Sequence, residues 1–423
     1  MPTDLGDAPA LDPRLPGREW RVLSIGLLGF ASGLPLALSL GTLQAWFTTA
    51  GMSLKAIGWI TLIGQAYVFK FLWAPLLDRL PLPFLGRRRG WIFLMQLVCG
   101  AALIGMSFFS PQGAGSTLAF LAVVLAFGSA TQDIAYDAHR TDLLPPAERG
   151  WGTAFSQGGY RLGMLVSGAL ALTFADHFGW TWVYRLMGAL MLVATLVTAW
   201  SPDAPDEQPA RSFVDAVIQP FADFFQRYGA LALAWLALMV LYKLCDAFAL
   251  SLSTTFLLRV PKFSLTQIGT ISKIFGLVAG FLGALAGGWI VTRMRLFPAL
   301  LGLGVAQALV NLLYIWLVRS GPDVYAMGTV VSVEYFVSGM GSTAFVVLLT
   351  SLCNVRFSAT QYALLSSLSA VGRVFLGPLA AWLVPQVGWS SFFVITALSA
   401  IPGLLLVIAL RGAIHRAELA RPR

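Results

Sequence analysis

Residues 37–42 read ALSLGT and residues 249–254 read ALSLST, so a near-copy of this hexapeptide returns after 212 positions. Residues 53–58 (SLKAIG) and 264–269 (SLTQIG) form a second pair, 211 positions apart. Both offsets are about half of the 423-residue chain. Each match is short, but the shared spacing predicts two structurally equivalent halves that follow one another in the same direction.

The composition indicates the solvent in which these halves fold. Hydrophobic residues make up 57% of the chain and charged residues only 11%, whereas soluble domains carry about 25% charged residues. Crossing the hydrocarbon core of a bilayer takes about 20 apolar residues, and runs of that length recur along nearly the whole sequence. We therefore predict an all-α integral membrane protein with the lipid bilayer as its solvent.

Twelve predicted spans fall into two sets of six, with polar tails at residues 1–20 and 412–423 and a linker at 201–227. The N-terminal half, residues 21–200, has spans near 21–49, 55–78, 90–110, 116–139, 150–175 and 180–200. The C-terminal half, residues 228–411, has spans near 228–258, 264–291, 297–318, 323–352, 357–383 and 388–411. This is the plan of the major facilitator fold, whose substrate site lies between the halves.

The polar segments outside the spans predict the topology. Residues 1–20 lack the basic start and short apolar core of a cleavable signal, so we expect the first span to remain. With the N-terminus in the cytoplasm, 18 lysines and arginines lie on the cytoplasmic side and four on the other. This excess fits the positive-inside rule with both termini cytoplasmic. In the linker, apolar residues at helical spacing from Phe213 to Phe225 predict an amphipathic surface helix, which Pro220 bends or breaks.

Ionisable residues inside the spans predict a transport pathway. A charge at the bilayer centre costs at least ~2.5–3.5 kcal/mol on insertion scales, so each is expected to face a partner or a wet cavity. None lies deep in spans 3, 6, 9 or 12, which face lipid in the major facilitator fold. The set comprises Lys70, Asp133, Asp137, Arg161, Lys243, Asp246, Lys273, Glu334 and Arg373.

Asp133 and Asp137 are four residues apart, which places them on one face of span 4. Two neighbouring acids in a low-dielectric site favour the protonated form of at least one, as proton-coupled transport requires. The alternative is a structural network in which Lys70 or Arg161 pairs permanently with these acids. Both interpretations remain open.

The other buried charges also allow two interpretations. Lys243 and Asp246 are three residues apart and can pair within span 7, while Glu334 is isolated on span 10 and suits a proton site or an arginine partner. Arg161 and Arg373 occupy repeat-related positions and either clamp an anionic substrate or hold the acids in place. With Lys70, Lys243 and Lys273, these arginines make five cations against four acids, which favours an anionic substrate.

Amide and aromatic side chains on the same spans suit sugar binding, because they can bond hydroxyl groups and pack on sugar faces. Membrane helices also use aromatics for packing and interface anchoring, so this signal is weak. The candidate substrate-binding residues of this kind are Gln44, Gln65, Tyr67, Gln132, Tyr136, Gln157 and Tyr160.

No catalytic, metal or cofactor motif is evident in the sequence. Cys99, Cys245 and Cys353 lie in or beside apolar segments without metal-ligand spacing. A membrane enzyme or scaffold would need a polar cluster near one face, and the loop candidates, His139 near Asp142 and His177 near Asp176, are predicted on opposite sides. The charges lie in short loops with no long basic face, which argues against nucleic-acid binding. We expect a monomer.

Several long blocks resemble known proteins. Residues 77–89, with Asp78, Arg79, Arg87 and Arg88, resemble a stretched form of the gating loop between the second and third helices of major facilitator transporters. The blocks GFASGLPLALSLGTLQAWFTTAGMSLKAIGW, GQAYVFKFLWAPLLDR and ATQDIAYDAHRTDLLPPAERGWGTAFSQGGYRLGMLVSG closely resemble the AmpG muropeptide permease family. The second half resembles that family more loosely.

The resemblance implies a proton-driven importer in the inner membrane of a Gram-negative bacterium, with no cofactor. Its substrates would be N-acetylglucosaminyl-anhydro-N-acetylmuramyl peptides, brought in for peptidoglycan recycling, and their import would feed signals that induce β-lactamase. It also implies importance for Gln132, Asp133 and Asp137, which fall within the family's block. The alternative is the same fold carrying a different anionic or amphiphilic solute.

Overall fold

The computed structural model describes residues 17–80, 82–145, 148–203, 213–354 and 358–419, and all regular structure within them is helical. The N-terminal half contains α1 (Arg18–Ser39), α2 (Gly41–Thr49), α3 (Leu54–Ile60), α4 (Gln65–Phe69), α5 (Ala74–Arg79), α6 (Arg87–Met106), α7 (Pro111–Leu143), α8 (Arg149–Leu165), α9 (Ala171–Phe178) and α10 (Trp180–Trp200). The linker carries α11 (Phe213–Tyr228).

The C-terminal half follows the same scheme. Its helices are α12 (Leu231–Leu241), α13 (Leu244–Leu250), α14 (Ser253–Arg259), α15 (Leu265–Gln267), α16 (Gly276–Arg293), α17 (Leu296–Asn311), α18 (Leu313–Ser320), α19 (Val324–Leu352), α20 (Ser358–Leu398), α21 (Ile401–Ala409) and α22 (Arg411–Leu419). Large apolar side chains such as Phe120, Trp289 and Trp382 are exposed on the outer faces, where lipid is the fitting solvent.

Nine helical stretches within the described residues are long and apolar enough to cross a membrane. The predicted span 55–78 is divided among α3, α4, α5 and two short 3₁₀ segments, so no single long helix represents it. The predicted spans 357–383 and 388–411 are joined through α20, which has a non-helical residue at Gly388 (φ 75°). The all-α membrane fold is confirmed, and the number twelve stays a prediction.

The sequence repeat coincides with a break in the first helix of each half. Leu40, the fourth residue of the first copy, separates α1 from α2 with φ −123° and ψ −96°. Leu252, the fourth residue of the second copy, precedes α14 with φ −120° and ψ 19°. Neither residue has helical dihedral angles. The repeat therefore encodes two equivalent helix interruptions.

Beyond these interruptions, α2 and α14 pack side by side. Three hydrogen bonds join Gln44 to the carbonyl of Ser251, Thr48 to Thr255, and Arg259 to the carbonyl of Met52. The first two measure 2.9 Å each, and each pair is separated by 207 residues. Successive bonds are four residues apart along both segments, 44–52 and 251–259, so α2 and α14 run in parallel and present one face to each other. We call this set of bonds the tip seam.

Other contacts join the halves at the same end of the molecule. The carboxylate of Asp176 accepts hydrogen bonds from the amide and the hydroxyl of Thr266, at 3.0 and 2.6 Å. A Cβ added to Gly58 would stand 2.5 Å from the Cβ of Ala381, so α3 and α20 approach each other more closely than larger residues permit. The two halves are thus closed against each other at the end that carries residues 50–53 and 260–264.

Two π-helical segments interrupt longer helices near this closure. Val166–Leu170 lies between α8 and α9, and Ile268–Phe275 lies between α15 and α16. The two segments contact each other across the halves, where a Cβ on Gly269 would stand 2.7 Å from the carbonyl oxygen of Ala169. Such π segments occur frequently at functional sites.

The opposite end of the molecule is tied by ion pairs. Arg21 in α1 and Glu148 before α8 form a buried two-point pair, with distances of 2.5 and 3.1 Å. In the linker helix α11, Asp223 pairs with Arg227 at 2.9 Å and accepts hydrogen bonds from Asn354 and Gln361 at 3.0 and 2.9 Å. The helix predicted for the linker is therefore present over residues 213–228, and the side chains of its first turns lie outside the described part of the chain.

Candidate functional site

Two adjoining pockets lie in the interior, one between the halves and one within the C-terminal half. The first, of about 590 Å³, is lined by three tyrosines, Tyr67, Tyr160 and Tyr335, and we call it the tyrosine pocket. The second, of about 500 Å³, lies in the C-terminal half, and we call it the serine pocket. Its serines are Ser251, Ser338, Ser342, Ser366 and Ser369. Leu250 and Ser251 line both pockets, so the pockets meet at the break before α14.

The helix interruptions position the wall that these pockets share. Leu40 and Gly41 at the first break, and Ser253 and Thr254 after the second, line the tyrosine pocket. The first amide groups of a helix have no intrahelical acceptor, so the start of α2 presents free N–H groups at this wall. The hexapeptide repeat that predicts the two halves thus also forms the centre of the site.

Asp133 is the buried acid of the tyrosine pocket. Its carboxylate accepts a short hydrogen bond from the hydroxyl of Ser32 and lies 3.7 Å from the ammonium of Lys70. Asp133 is 7% exposed, while the side chain of Lys70 is 33% exposed. The acid is therefore desolvated and paired with a cation that still reaches the solvent-accessible part of the pocket.

Asp137 lies in a different environment from Asp133, although the two share a helix face. Its side chain is 56% exposed and 3.4 Å from Arg140, its neighbour on the next turn. The two acids therefore do not share the low-dielectric site that their spacing predicts. The reason is that Asp137 lies one turn further along this face, where Thr141 is exposed as well, while His139 and Leu143 on another face of α7 remain buried.

The C-terminal half holds a second group of charges. Lys243 and Asp246 form the pair expected from their spacing, at 3.3 Å, and Ser338 donates a hydrogen bond to Asp246 at 2.9 Å. Glu334 is 3% exposed, and among the described residues no hydrogen-bond donor reaches either of its carboxyl oxygens. Among the described side chains, its charged neighbours are Asp246 and Lys243.

Lys273 differs from the other lysines of the site. It lines the tyrosine pocket from the π-helical segment before α16, and none of the ion pairs within the described residues includes it. Its ammonium lies 3.7 Å from the position that a Cβ on Gly41 would take, so it reaches across to the start of α2. A cation and a helix N-terminus both favour a negative charge at this point.

Several predicted substrate residues lie away from the pockets. Tyr136 is buried, with its hydroxyl 2.8 Å from the carbonyl of Ile25 and 2.6 Å from Ser156, which is a packing role. Gln132 is fully buried outside both pocket linings, and its amide has no partner within the described chain. Gln157 and Arg161 are exposed on α8 and line neither pocket.

The remaining predicted residues divide into three groups. Gln44 lines the tyrosine pocket and also bonds Ser251, while Gln65 begins α4 half-buried and outside both linings. In the predicted gating loop, Arg88 pairs with Asp142 at 3.1 Å and thereby joins α6 to α7, and Arg87 is half-buried. The side chains of Asp78, Arg79 and Arg373 lie outside the described residues.

The sequence reasoning missed the hydroxyl groups and one aromatic residue of the site. Ser32, Ser338 and Ser342 carry no charge and are common in membrane helices, so nothing singled them out. Tyr335 follows Glu334 directly, and the criterion applied to spans 2, 4 and 5, an aromatic beside a buried charge, would have found it on span 10. A helical, lipid-facing shell around an interior polar cavity defines the class of polytopic membrane transporters.

Sequence comparisons identify the family. The profile of the Major Facilitator Superfamily matches residues 25–377. The anhydromuropeptide permease of Escherichia coli K12 is 50% identical over 389 residues, which cover 91% of this chain and 78% of the permease. The putative transporter AmpG 4 of Rickettsia conorii is 32% identical, covering 94% of this chain and 98% of that protein. The chain belongs to the Major Facilitator Superfamily and, within it, to the AmpG family of permeases.

Solved structures agree on the fold. The peptide transporter POT in complex with sulfate superposes with a TM-score of 0.71 at 15% identity, covering 94% of this chain and 95% of that chain. A bacterial homologue of the human lysosomal transporter Spinster, in an inward-facing and unoccupied conformation, gives a TM-score of 0.67 at 15% identity, covering 97% and 98%. As a member of this family of permeases, the protein is a membrane transporter and not an enzyme.

Proposed function

We propose that this protein imports anhydromuropeptides, N-acetylglucosaminyl-anhydro-N-acetylmuramyl peptides, from the periplasm to the cytoplasm in symport with protons. The proton gradient is the energy source, no cofactor takes part, and the protein acts as a monomer in the inner membrane with both termini cytoplasmic. The 50% identity to the Escherichia coli anhydromuropeptide permease is the observation that carries the substrate assignment.

The chemistry of the two pockets supports this substrate. Anhydromuropeptides combine hydroxyl-rich sugars with peptide carboxylates. Lys273 and Lys70 offer cations to carboxylates, and the tyrosines and serines of the pockets offer hydroxyls and ring faces to sugars. Ligand sites for molecules of drug size occupy about 300–1,000 Å³, so two adjoining pockets of 590 and 500 Å³ suit a larger ligand.

Two buried carboxyl groups support proton coupling. Asp133 is paired with a lysine that also faces the pocket, so a proton or a substrate charge can compete for the same partner. Glu334 is buried without a donor among the described residues, and an unpaired charge in such a place is costly. We assign proton binding to Asp133 and Glu334, with Asp246 as the neighbour of Glu334 and Asp137 as an outer acid near the mouth of the pathway.

Alternating access follows from the two halves. The tip seam and the Asp176–Thr266 contacts hold the halves together at one end, and the excess of lysine and arginine predicts that this end is periplasmic. Residues 21–200 and 228–411 then rock about the central pockets, and the loop with Asp78, Arg79, Arg87 and Arg88 guards the cytoplasmic end. In this scheme the structure corresponds to a state closed to the periplasm.

The test is uptake by purified protein in vesicles. Reconstituted protein is given labelled anhydromuropeptide at an imposed pH gradient and without one, and protein-free vesicles serve as the control. We expect accumulation above the outside concentration only with the gradient. Uptake that ignores the gradient would contradict proton coupling, and uptake of another anion in its place would contradict the substrate.

A second candidate function keeps the mechanism and changes the solute. Lys273 stands without an acidic partner within the described chain, a feature that suits any amphiphilic anion of similar size. Competition separates the two possibilities, because an unrelated anion that displaces the labelled anhydromuropeptide at lower concentration than the unlabelled compound would favour the second.

A further inference from the structure

The two adjoining pockets differ in their balance of charge. In the serine pocket, Lys243 and Asp246 neutralise each other at 3.3 Å, and the remaining polar groups are hydroxyls. In the tyrosine pocket, Lys70 is paired with Asp133, but Lys273 has no acidic partner within the described chain. One pocket is therefore neutral and rich in hydroxyls, whereas the other holds an uncompensated cation.

The position of Lys273 strengthens this contrast. Its ammonium stands beside Gly41, at the start of the nine-residue helix α2. The free amides of that helix start carry partial positive charge, so the helix repels the lysine and attracts an anion. Lysine and helix start come from different halves and converge on one point of the tyrosine pocket. An anionic group placed there would satisfy both.

The hydroxyl groups of the serine pocket are differently suited. Ser338 donates to Asp246, and Ser369 donates to the carbonyl of Ser366, so the oxygens of both remain available as acceptors. Ser342 lines the pocket, and no partner of its hydroxyl is present among the described residues. This pocket wall offers neutral hydrogen-bond donors and acceptors and carries no net charge. It therefore complements the uncharged hydroxyl groups of a sugar.

From this asymmetry we propose a fixed orientation of the substrate, an inference that rests on the proposed function. The peptide carboxylates occupy the tyrosine pocket against Lys273 and the start of α2, and the disaccharide occupies the serine pocket around Ser342. The substrate crosses from one pocket to the other beside Ser251, which lines both. In the reverse orientation the tyrosines could stack on a sugar, but the peptide carboxylates would then be buried without a free cation. Burying an unpaired charge costs more free energy than losing a stacking contact, so charge decides the orientation.

The test compares protein variants and ligand variants in thermodynamic cycles. Full-length protein in lipid nanodiscs is titrated with three compounds by calorimetry. These are the anhydromuropeptide, the same compound with its peptide carboxylates converted to carboxamides, and the same peptide on anhydro-N-acetylmuramic acid without N-acetylglucosamine. The protein variants are Lys273→Gln and Ser342→Val, with Lys55→Gln, an exposed lysine, and Ser116→Val, an exposed serine outside both pockets, as matched controls.

We expect amidation to weaken binding to the wild type about tenfold or more, because charge-assisted hydrogen bonds are lost. In Lys273→Gln the same amidation should change the affinity less than about twofold, and in Ser342→Val it should keep its full effect. Removal of N-acetylglucosamine should weaken binding to the wild type and to Lys273→Gln, but it should leave the affinity of Ser342→Val unchanged. The two control variants should behave as the wild type in both comparisons.

Three results would overturn the proposal. If Lys273→Gln cancels the effect of removing N-acetylglucosamine and Ser342→Val cancels the effect of amidation, the orientation is the reverse of the one proposed. If both variants respond equally to both ligand changes, the two pockets do not divide the substrate. A wild type that binds none of the three compounds would contradict the proposed function itself, and only that result would do so.

Discussion

The N-terminal and C-terminal halves share a backbone design but not a pattern of charges. Leu40 and Leu252 interrupt equivalent helices, and the tips that follow pack in parallel. The buried acids differ, because Asp133 has a hydroxyl donor and a lysine, whereas Glu334 has no donor among the described residues. Duplication thus explains the shared backbone design, while the buried acid of each half has its own environment. The predictions below test first what the halves share and then how they differ.

Locking the two tips together should have the largest effect. Thr48 and Thr255 are in hydrogen-bond contact at 2.9 Å, so cysteines at both positions are close enough to be joined. In a background without Cys99, Cys245 and Cys353, oxidation of Thr48→Cys/Thr255→Cys should stop uptake completely, and a reductant should restore it. Either single variant, treated in the same way, is the control. Full uptake by the oxidised double variant would mean that the tips do not separate during transport.

Asp133→Asn should abolish gradient-driven accumulation. One symported proton at a pH difference of one unit can concentrate substrate up to about tenfold, and the variant should show no concentration beyond equilibration. The amide keeps the shape of the side chain but cannot release a proton. Uptake into vesicles with an imposed gradient measures the ratio, and exchange without a gradient should persist.

Asp137→Asn is the matched control for this variant, because the side chain of Asp137 is 56% exposed and its ion pair is with Arg140 on the same helix. Exposed pairs contribute about 0.2–1 kcal/mol, so we expect most of the accumulation to remain. Equal loss in both variants would contradict the distinction that burial makes between these two acids.

Glu334→Gln and Asp133→Asn should differ in stability. Asp133→Asn removes a charged partner from Lys70 and Ser32, for which we expect a loss of about 1–2 kcal/mol in the free energy of unfolding, discounted because Lys70 is partly exposed. Glu334→Gln replaces a group without a donor by a neutral isostere, so its change should stay within about 0.5 kcal/mol. Unfolding of the purified protein in detergent at neutral pH measures both. Equal losses would show that Glu334 has a stabilising charged partner.

Asp223→Asn, in the linker tether of the C-terminal half, should have the smallest effect. Burial acts to raise the pKa of Asp223, but hydrogen bonds from Gln361 and Asn354 and the charge of Arg227 outweigh it and hold the pKa below its usual value. A lowered pKa in the folded state stabilises the docked linker above the usual carboxyl range, and this contribution is lost as pH falls through the lowered pKa.

Limited proteolysis of the linker measures this effect. The wild type should become more sensitive only when the pH falls below about 4, whereas Asp223→Asn should be more sensitive at neutral pH and change little on acidification. At neutral pH, the free energy of linker docking should differ between the wild type and Asp223→Asn by less than about 1 kcal/mol, as for other exposed pairs. A variant that keeps the pH response of the wild type would exclude Asp223 as its source.

The sequence predicted the arrangement of the halves better than the details of the site. The repeat at residues 37–42 and 249–254 predicts the two halves because each copy encodes the same helix break. Helical spacing places Asp133 and Asp137 on one face, but it does not tell how far the packed interior extends along that face. Residues 55–78 are apolar throughout, so hydropathy alone does not reveal that short helical segments divide them.

The π-helical segment Ile268–Phe275 gives Lys273 a property that an ordinary helix would deny it. A π turn closes its hydrogen bonds from residue i to i+5, so it accommodates more residues per turn than an α turn. Each residue of an α-helix is rotated by about 100° from the last, at 3.6 residues per turn. A shift of one position past Lys273 would therefore swing its ammonium away from Gly41 while α16 stays in place. Such a change of winding would separate the cation from the start of α2 without any movement of one half against the other.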